Sequence, residues 1–546
     1  MHLPRDATTV FGAFMAAAQR YPERPFLCVL DETARVYAIT SGEITYGASA
    51  AEVTVLRDRY ARAGYGAGHR VGLLLENRPA FFRHWFALNA LGASVVPINP
   101  DLRSAELDYL VAHSEMVAAV VLPPRQAAIR NAAAASECAI AVYGPDDDIP
   151  LCPASRQPTA APVGADTECA LLYTSGTTGR PKGCVLDNTY YLNSGRWYLD
   201  VGGHVRLEHG RDRMLTPLPL FHMNAMATST MTMLLSGGCL IVLDRFHPKT
   251  WWHSVRQSRA TIMHYLGIMP PMLMSATESS DDRGHSVRFG FGAGVDRRLH
   301  APFEARFGFP LIEAWAMTET GGGVVIAAAH EPRHVGTSCF GRIGQEAEAR
   351  VVADGGTDEP ADTPGELLVR RTGPDPHHGF FRAYLKDPDA TAEAWAGGWF
   401  HTGDIVMRDA EGNFHFVDRK KNVIRRSGEN IAAVEVESVL QLHPGVAAVA
   451  VGAIPDPLRG DEVFACIVAR DLKSDAAGRL ALAIDVTEHC LSRLAYYKAP
   501  GYVAFVDALP LTATQKIQRG AIKDVIAELA QSGVAIDTRA LKKRSG

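Results

Sequence analysis

The stretch 173–183 reads YTSGTTGRPKG and packs three Gly, three Thr, one Ser, one Arg and one Lys into eleven residues. Gly176 and Gly179 let backbone N–H groups turn toward one point, and Thr174, Ser175, Thr177 and Thr178 add hydroxyl donors on short stems. Such a concavity binds anions, and Lys182 adds a point charge at its rim. The stretch reads as a phosphate cradle. It is not a Walker A loop, because no GxxxxGK[ST] fits through Gly176, Gly179 and Lys182. A polar Gly/Thr surface turn would use the same residue types.

Further along, Glu319 stands in TETGGG, where a carboxylate can hold Mg²⁺, an ion that keeps several waters and bridges phosphate oxygens. A helix-capping Glu before a glycine turn has the same appearance. Asp404, in HTGD, can accept hydrogen bonds from two hydroxyls, and Arg419, in VDRKKN, offers fixed donors. A turn Asp and a surface Arg are the plainer readings of each alone. Lys516 lies close to the C-terminus, where a single lysine is usually a solvated charge.

These residues need a frame. At 546 residues the chain exceeds one core and predicts three or four domains or subdomains. Net charge is −5, so no basic surface argues for nucleic acid. Nine scattered cysteines without a CxxC or zinc spacing fit a reducing, cytoplasmic compartment and argue against a structural metal. The N-terminal residues suit an amphipathic helix better than a signal peptide. Residues 223–243 carry no formal charge, but their Ser, Thr and Gly suggest a buried helix, a turn and a strand rather than a membrane span.

Residues 45–135 alternate helix-like and strand-like segments (TYGASAAEVTVLRDRYARAG, HRVGLLLEN, PAFFRHWFALNALGA, SVVPINP, MVAAVVLPP), which predicts an α/β fold with mostly parallel sheets. Residues 144–164 read as a surface loop. MLTPLPLFHMNA and TIMHYLGIMPPML read as strand-and-loop segments around the helical HPKTWWHSVRQSRA. VRFGFGAGVD and FPLIEAWAMTETGGG add strands ending in small-residue loops, where open α/β sheets bind ligands. From about Gly341 short alternating strands predict a β-rich subdomain, about 341–420. The expected arrangement is a large N-terminal domain over 1–420 and a small, mobile α+β C-terminal domain over 421–546.

Five motifs occur in order: YTSGTTGRPKG, AWAMTETGGG, GGWFHTGD, VDRKKNVIRRSGENIAAVEVE and LPLTATQKI. Together they resemble the adenylate-forming superfamily of acyl-CoA synthetases, peptide adenylation domains and luciferases, over nearly the whole chain. Within it the chain is most similar to carnitine/crotonobetaine-type and medium-chain acyl-CoA ligases. A carboxylate is a poor electrophile, so a thioester is reached by first attaching AMP as a leaving group. The resemblance therefore implies an ATP-dependent acid–CoA ligase using ATP, Mg²⁺ and CoA on a small-to-medium carboxylic acid. No nucleic-acid partner and no membrane span are expected from the charge and the uncharged stretch above, and a homodimer is allowed. Transfer to a carrier-protein thiol or an amine is the alternative within the class. A nucleotide-binding relative without turnover is the alternative outside it.

By the same resemblance Lys516 is the adenylation cation, with Thr318, Glu319 and Lys182 at the reacting centre and Thr178 joining Glu319 at the metal. The adenine is expected between Trp315 and the segment containing Gly292, Ala293 and Gly294, with Asp404 and Arg419 on the ribose. Lys421 is the expected hinge, about which the C-terminal domain first delivers Lys516 and then presents Ser427, Gly428 and Glu429 to the pantetheine. Two departures stand out: Trp315-Ala316 replaces the usual Tyr-Gly, and Gln515 replaces the Gly before Lys516.

Nine of fourteen methionines lie between Met214 and Met274, in segments expected to line the acyl pocket with His222, Met223, Met226, Tyr265, Ala316 and Met317. Ordinary core packing explains Met enrichment equally well. His222 occupies the place where amino-acid-activating relatives carry an Asp, which weighs against peptide-synthetase adenylation.

Overall fold

The computed structural model describes residues 6–153, 158–174, 181–353, 355–419, 424–431, 433–470, 475–510 and 519–543. The chain divides into two compact units, Met1–Pro100 with His113–Tyr173 and Gly183–Asp418, and Asp101–Ala112 with Thr174–Lys182 and Arg419–Gly546.

In the first unit an eight-stranded sheet runs in the order Ile326–Ala327, Leu311–Trp315, Phe289–Ala293, Ile262–Leu266, Arg213–Thr216, Cys239–Val242, Pro25–Val29, Gly42–Thr45. Its six inner strands are parallel, and an antiparallel strand closes each edge. A seven-stranded sheet runs Ala383–Tyr384, Lys182–Asp187, Glu168–Thr174, Ser94–Pro97, Arg70–Leu74, Ala118–Val121, Ala141–Tyr143.

The helices Val10–Arg20, Tyr46–Arg62, Pro79–Asn89, Asn188–Asp200 and Thr230–Ser236 share one core with side chains of both sheets. The other face of the eight-stranded sheet packs a second core with Trp251–Ser258, Met269–Met274 and Arg297–Phe307. Burial on both faces is why the strands read as unbroken apolar runs. Helix starts are set locally: Thr45 caps Ala48 N–H, and Asp187 caps Tyr190 N–H.

The α/β class with mostly parallel sheets is as expected, and three local features refine it. TIMHYLGIMPPML ends in the short helix Met269–Met274, with proline in its first turn, where the missing N–H costs nothing. The uncharged stretch opens with a π-helix, Asn224–Ser229, ahead of Thr230–Ser236 and the strand Cys239–Val242. The β-rich region forms a five-stranded sheet of Cys339–Gly341, Phe414–Arg419, Phe400–Arg408, Gly365–Arg371 and Ala347–Val352. Its chain also leaves that sheet, because Ala383–Tyr384 pairs antiparallel with Lys182–Asp187 in the seven-stranded sheet.

The second unit has a sheet of Glu429–Ile431, Ile424–Arg426, Gly460–Ala469, Tyr502–Phe505 and Ile536–Asp537, with Val446–Asp456 paired to Gly460–Ala469. The helices Ala433–Leu440 and Ala476–Leu491 pack on it. Among the described residues no helix is long and apolar enough to cross a membrane.

Candidate active site

Phe289–Ala293 and Leu311–Trp315 are adjacent parallel strands, with Gly292 paired to Glu313. At their carboxyl ends the Glu313 carboxylate accepts Gly294 N–H at 2.9 Å and Val295 N–H at 2.7 Å. Two backbone donors on one buried carboxylate fix the loop that follows Ala293. Glycine at 292 has a steric cause, since a Cβ there would lie 2.2 Å from the Tyr265 carbonyl oxygen. Ala293 and Gly294 are exposed, while Trp315 at the end of the next strand is buried.

Trp315 donates its indole N–H to Asp404 Oδ2 at 2.9 Å, and Asp404 is itself only 2% exposed. Thr402 supports the carboxylate's strand, accepting Asp404 N–H at 3.0 Å and donating to the Leu367 carbonyl at 2.7 Å. Phe340 stacks near the indole, with centroids 6.3 Å apart. The expected adenine platform and the expected ribose acceptor are thus one hydrogen-bonded pair.

Next along the chain, Glu319 is 8% exposed, and its Oε1 accepts the Tyr384 hydroxyl at 2.9 Å. Tyr190 donates to the Thr318 carbonyl at 2.9 Å. The glycines of TETGGG make room for close neighbours: a Cβ at Gly321 would strike the Tyr190 ring, and one at Gly323 the Phe380 ring. A buried carboxylate oriented by a phenol is a hard oxygen donor. That chemistry fits Mg²⁺, which takes one or two carboxylates alongside phosphate oxygens and water.

Of the expected pocket residues, His222, Met223 and Met317 are half-buried and Ala316 is exposed. Met226 is fully buried and receives the Tyr191 hydroxyl at 3.4 Å. Tyr265 lies in the core on the opposite face of the sheet, its hydroxyl on the Ile312 carbonyl at 3.2 Å. Both are enclosed by neighbouring side chains, Met226 in the core shared by the two sheets and Tyr265 in the second core. The segment leading to His222 is held by Asn77, whose amide donates to the carbonyls of Leu218 at 3.0 Å and Leu243 at 2.7 Å and accepts Leu220 N–H at 2.8 Å.

Thr174 ends one strand of the seven-stranded sheet and Lys182 begins another. Ser175, Gly176, Thr177, Thr178 and Gly179 lie outside the described residues, as do Lys421, Lys516 and the Arg419 side chain. In the second unit Gly428 sits between paired Arg426 and Glu429, and the Arg426 guanidinium is held by Glu462 at 2.8 Å.

Asn77, Glu313 and Tyr384 were not singled out from the sequence. Tyr384 and Asn77 act on partners far along the chain, so nothing local marks them. The one local signal was a charged residue inside the apolar run LIEAW, at Glu313.

Residues 14–385 match the model of the AMP-binding enzyme family, and residues 435–516 match the AMP-binding enzyme C-terminal domain. The chain belongs to the AMP-binding enzyme family. It is 32% identical to a sulfoacetate–CoA ligase of Cupriavidus necator, over 94% of this chain and 97% of that one. It is 29% identical to a crotonobetaine/carnitine–CoA ligase of Salmonella arizonae, over 90% and 96%. Among solved structures, o-succinylbenzoate CoA synthetase from Bacillus subtilis, bound with a product analogue, superposes with a TM-score of 0.78. That likeness is at 25% identity and covers 94% of this chain and 98% of the other.

Proposed function

We propose that the protein is an AMP-forming acid–CoA ligase acting on a small-to-medium carboxylic acid, with ATP and CoA as its other substrates. In the first half-reaction a carboxylate oxygen bonds to the α-phosphorus of ATP and the bond to pyrophosphate breaks. In the second, the CoA sulfur bonds to the acyl carbon, AMP departs, and the thiol proton passes to solvent.

The observation that carries this reading is the Trp315–Asp404 bond beside the loop fixed by Glu313. A flat indole offers an adenine face, and the carboxylate it binds offers acceptors to ribose hydroxyls. The relatives reported above are acid–CoA ligases by name, which favours CoA over a carrier-protein thiol.

Within the proposal, Glu319 with Thr178 would hold Mg²⁺, which when bound neutralises phosphate charge. Thr174, Ser175, Gly176, Thr177, Gly179 and Lys182 grip the departing phosphates. Lys516 stabilises charge at the α-phosphate, Arg419 binds the ribose–phosphate edge, Lys421 is the hinge, and Gly428 serves the thiol step. Thr318 and His222 flank the acyl carboxylate, with Met223, Ala316 and Met317 along the chain. Preorganised donors of this kind supply most of the acceleration in phosphoryl and acyl transfer.

The test is incubation with ATP, Mg²⁺, CoA and a panel of short, medium, aromatic, sulfonate-bearing and betaine-type acids. Free acyl-CoA and AMP in equal amounts support the reading. Pyrophosphate exchange without free acyl-CoA would move the acceptor to a carrier protein or amine. Absence of exchange with every acid would leave a nucleotide-binding protein.

A further inference from the structure

The π-helix Asn224–Ser229 begins immediately after His222 and Met223. In an α-helix, residues five apart point roughly 140° away from each other. Here three consecutive hydroxyls bridge that spacing. Thr228 Oγ1 donates to Met223 Sδ at 3.5 Å, Ser229 Oγ to the Asn224 carbonyl at 3.1 Å, and Thr230 Oγ1 to the Ala225 carbonyl at 2.7 Å. The widened turn is held by side chains and not by backbone alone.

A fourth group clasps it from the sheet. His264, fully buried on the strand Ile262–Leu266, places Nδ1 2.9 Å from Asn224 Oδ1 and 2.9 Å from Ser229 Oγ. Asn224 Oδ1 can only accept, and the Ser229 hydroxyl hydrogen is directed to the Asn224 carbonyl, so Nδ1 carries the proton. Nε2 then accepts from the Tyr198 hydroxyl at 3.4 Å. The tautomer follows from the network and every partner is used. Burial holds the imidazole at about 3, far below its ordinary value, so it stays neutral at working pH. Tyr198 stacks on the ring at 5.9 Å and Phe291 lies 5.3 Å from it, which fixes its plane.

We propose that His264 is a positioning residue for acid selection: by clasping Asn224 and Ser229 it holds the π-turn that aims Met223, and so sets the length of acid accepted. π-turns inside helices are frequent at functional sites because the extra residue re-aims the side chains before it. Releasing the turn to an α-helix would rotate Met223 and Thr228 away from each other. The inference rests on the reading of Met223 as part of the acyl pocket.

The experiment compares kcat/KM over a straight-chain acid series, with KM for ATP, in Ser229→Ala, His264→Phe and Met223→Ala. Ser229→Ala removes one clasp partner with the least disturbance, and decides the matter if His264→Phe does not fold. The expected result is that the preference between acids two methylenes apart changes about tenfold in both clasp variants, while KM for ATP stays within about twofold. A shift in Met223→Ala with an unchanged profile in the clasp variants overturns this inference and leaves the pocket standing. An unchanged profile in all three overturns the pocket reading and this inference with it. A uniform loss of activity with every acid in Ser229→Ala, at unchanged preference, assigns His264 to stability alone and also overturns it.

Discussion

Trp315 gives its indole N–H to Asp404 at 2.9 Å, and so ties the carboxyl end of a parallel strand to the antiparallel strand Phe400–Arg408. The bond means that the residue expected to stack on adenine also orients the residue expected to hold ribose. Trp315→Phe keeps an aromatic face and removes the donor. A hydrogen bond to a charged acceptor is worth about 1.5–3 kcal/mol, so KM for ATP should rise by about tenfold or more, with KM for CoA unchanged. Steady-state kinetics at fixed acid measures it. An ATP affinity equal to wild type would remove Trp315 from the nucleotide site.

Glu313 is the anchor of the loop after Ala293, through its bonds to the N–H groups of Gly294 and Val295. Glu313→Ala leaves both donors without that acceptor and should destabilise the first unit by about 2–4 kcal/mol. KM for ATP should rise as well. Thermal unfolding with and without ATP separates the two effects.

Tyr384→Phe removes the hydroxyl that orients Glu319. Mg²⁺ titration of pyrophosphate exchange should show a few-fold higher metal requirement, with near-normal activity at saturating Mg²⁺. Glu319→Gln should instead lose about 10²–10³-fold at every Mg²⁺ concentration, as expected for a preorganised electrostatic partner. Identical behaviour of the two variants would contradict the assignment.

Lys516→Ala should lower adenylation by about 10²–10³-fold and spare thioester formation from supplied acyl-adenylate. Equal loss in both half-reactions would remove the division of labour.

Asp187 caps the helix Asn188–Asp200, and burial pushes its carboxyl up to about 6. The native state therefore keeps this proton to higher pH than the unfolded chain. Stability falls as pH rises from about 4 to about 6, and the full cost is present above that. Asn caps as well as Asp and carries no charge. Asp187→Asn should stabilise by about 1–3 kcal/mol at pH 7.5 and by little at pH 4, read from paired melting curves.

The sheets were legible because strands buried on both faces spell themselves as apolar runs, as HRVGLLLEN and SVVPINP do. Glu319 and Asp404 were legible because their motifs are local. The partners that aim them were not: Tyr384 reaches Glu319 only because a two-residue strand crosses back to the seven-stranded sheet, and FRAYLKD carries no periodicity that announces it. The π-turn was hidden for a related reason. NAMATST mixes Ala and Met with Asn, Ser and Thr and has no proline or glycine to break a helix, so an α-helical reading loses nothing until His264 is seen beneath it. Met226, on the π-helix, and Tyr265, on a strand, lie in different cores, since composition marks apolar residues without saying what they pack against.

The eight-stranded sheet finishes at one edge in Gly42–Thr45, four residues long, whose Glu43 is bound by Arg213 at 2.8 Å and Arg259 at 3.0 Å. An open strand edge is a template on which another chain can continue the sheet. This one offers an incoming chain a glycine, a carboxylate already neutralised by two guanidinium groups, and too few backbone groups to grip. At the opposite edge Ile326–Ala327 offers only two residues. The eight-stranded sheet thus ends on each side in a strand of four residues or fewer, the short-edge form that leaves another chain little backbone to pair with.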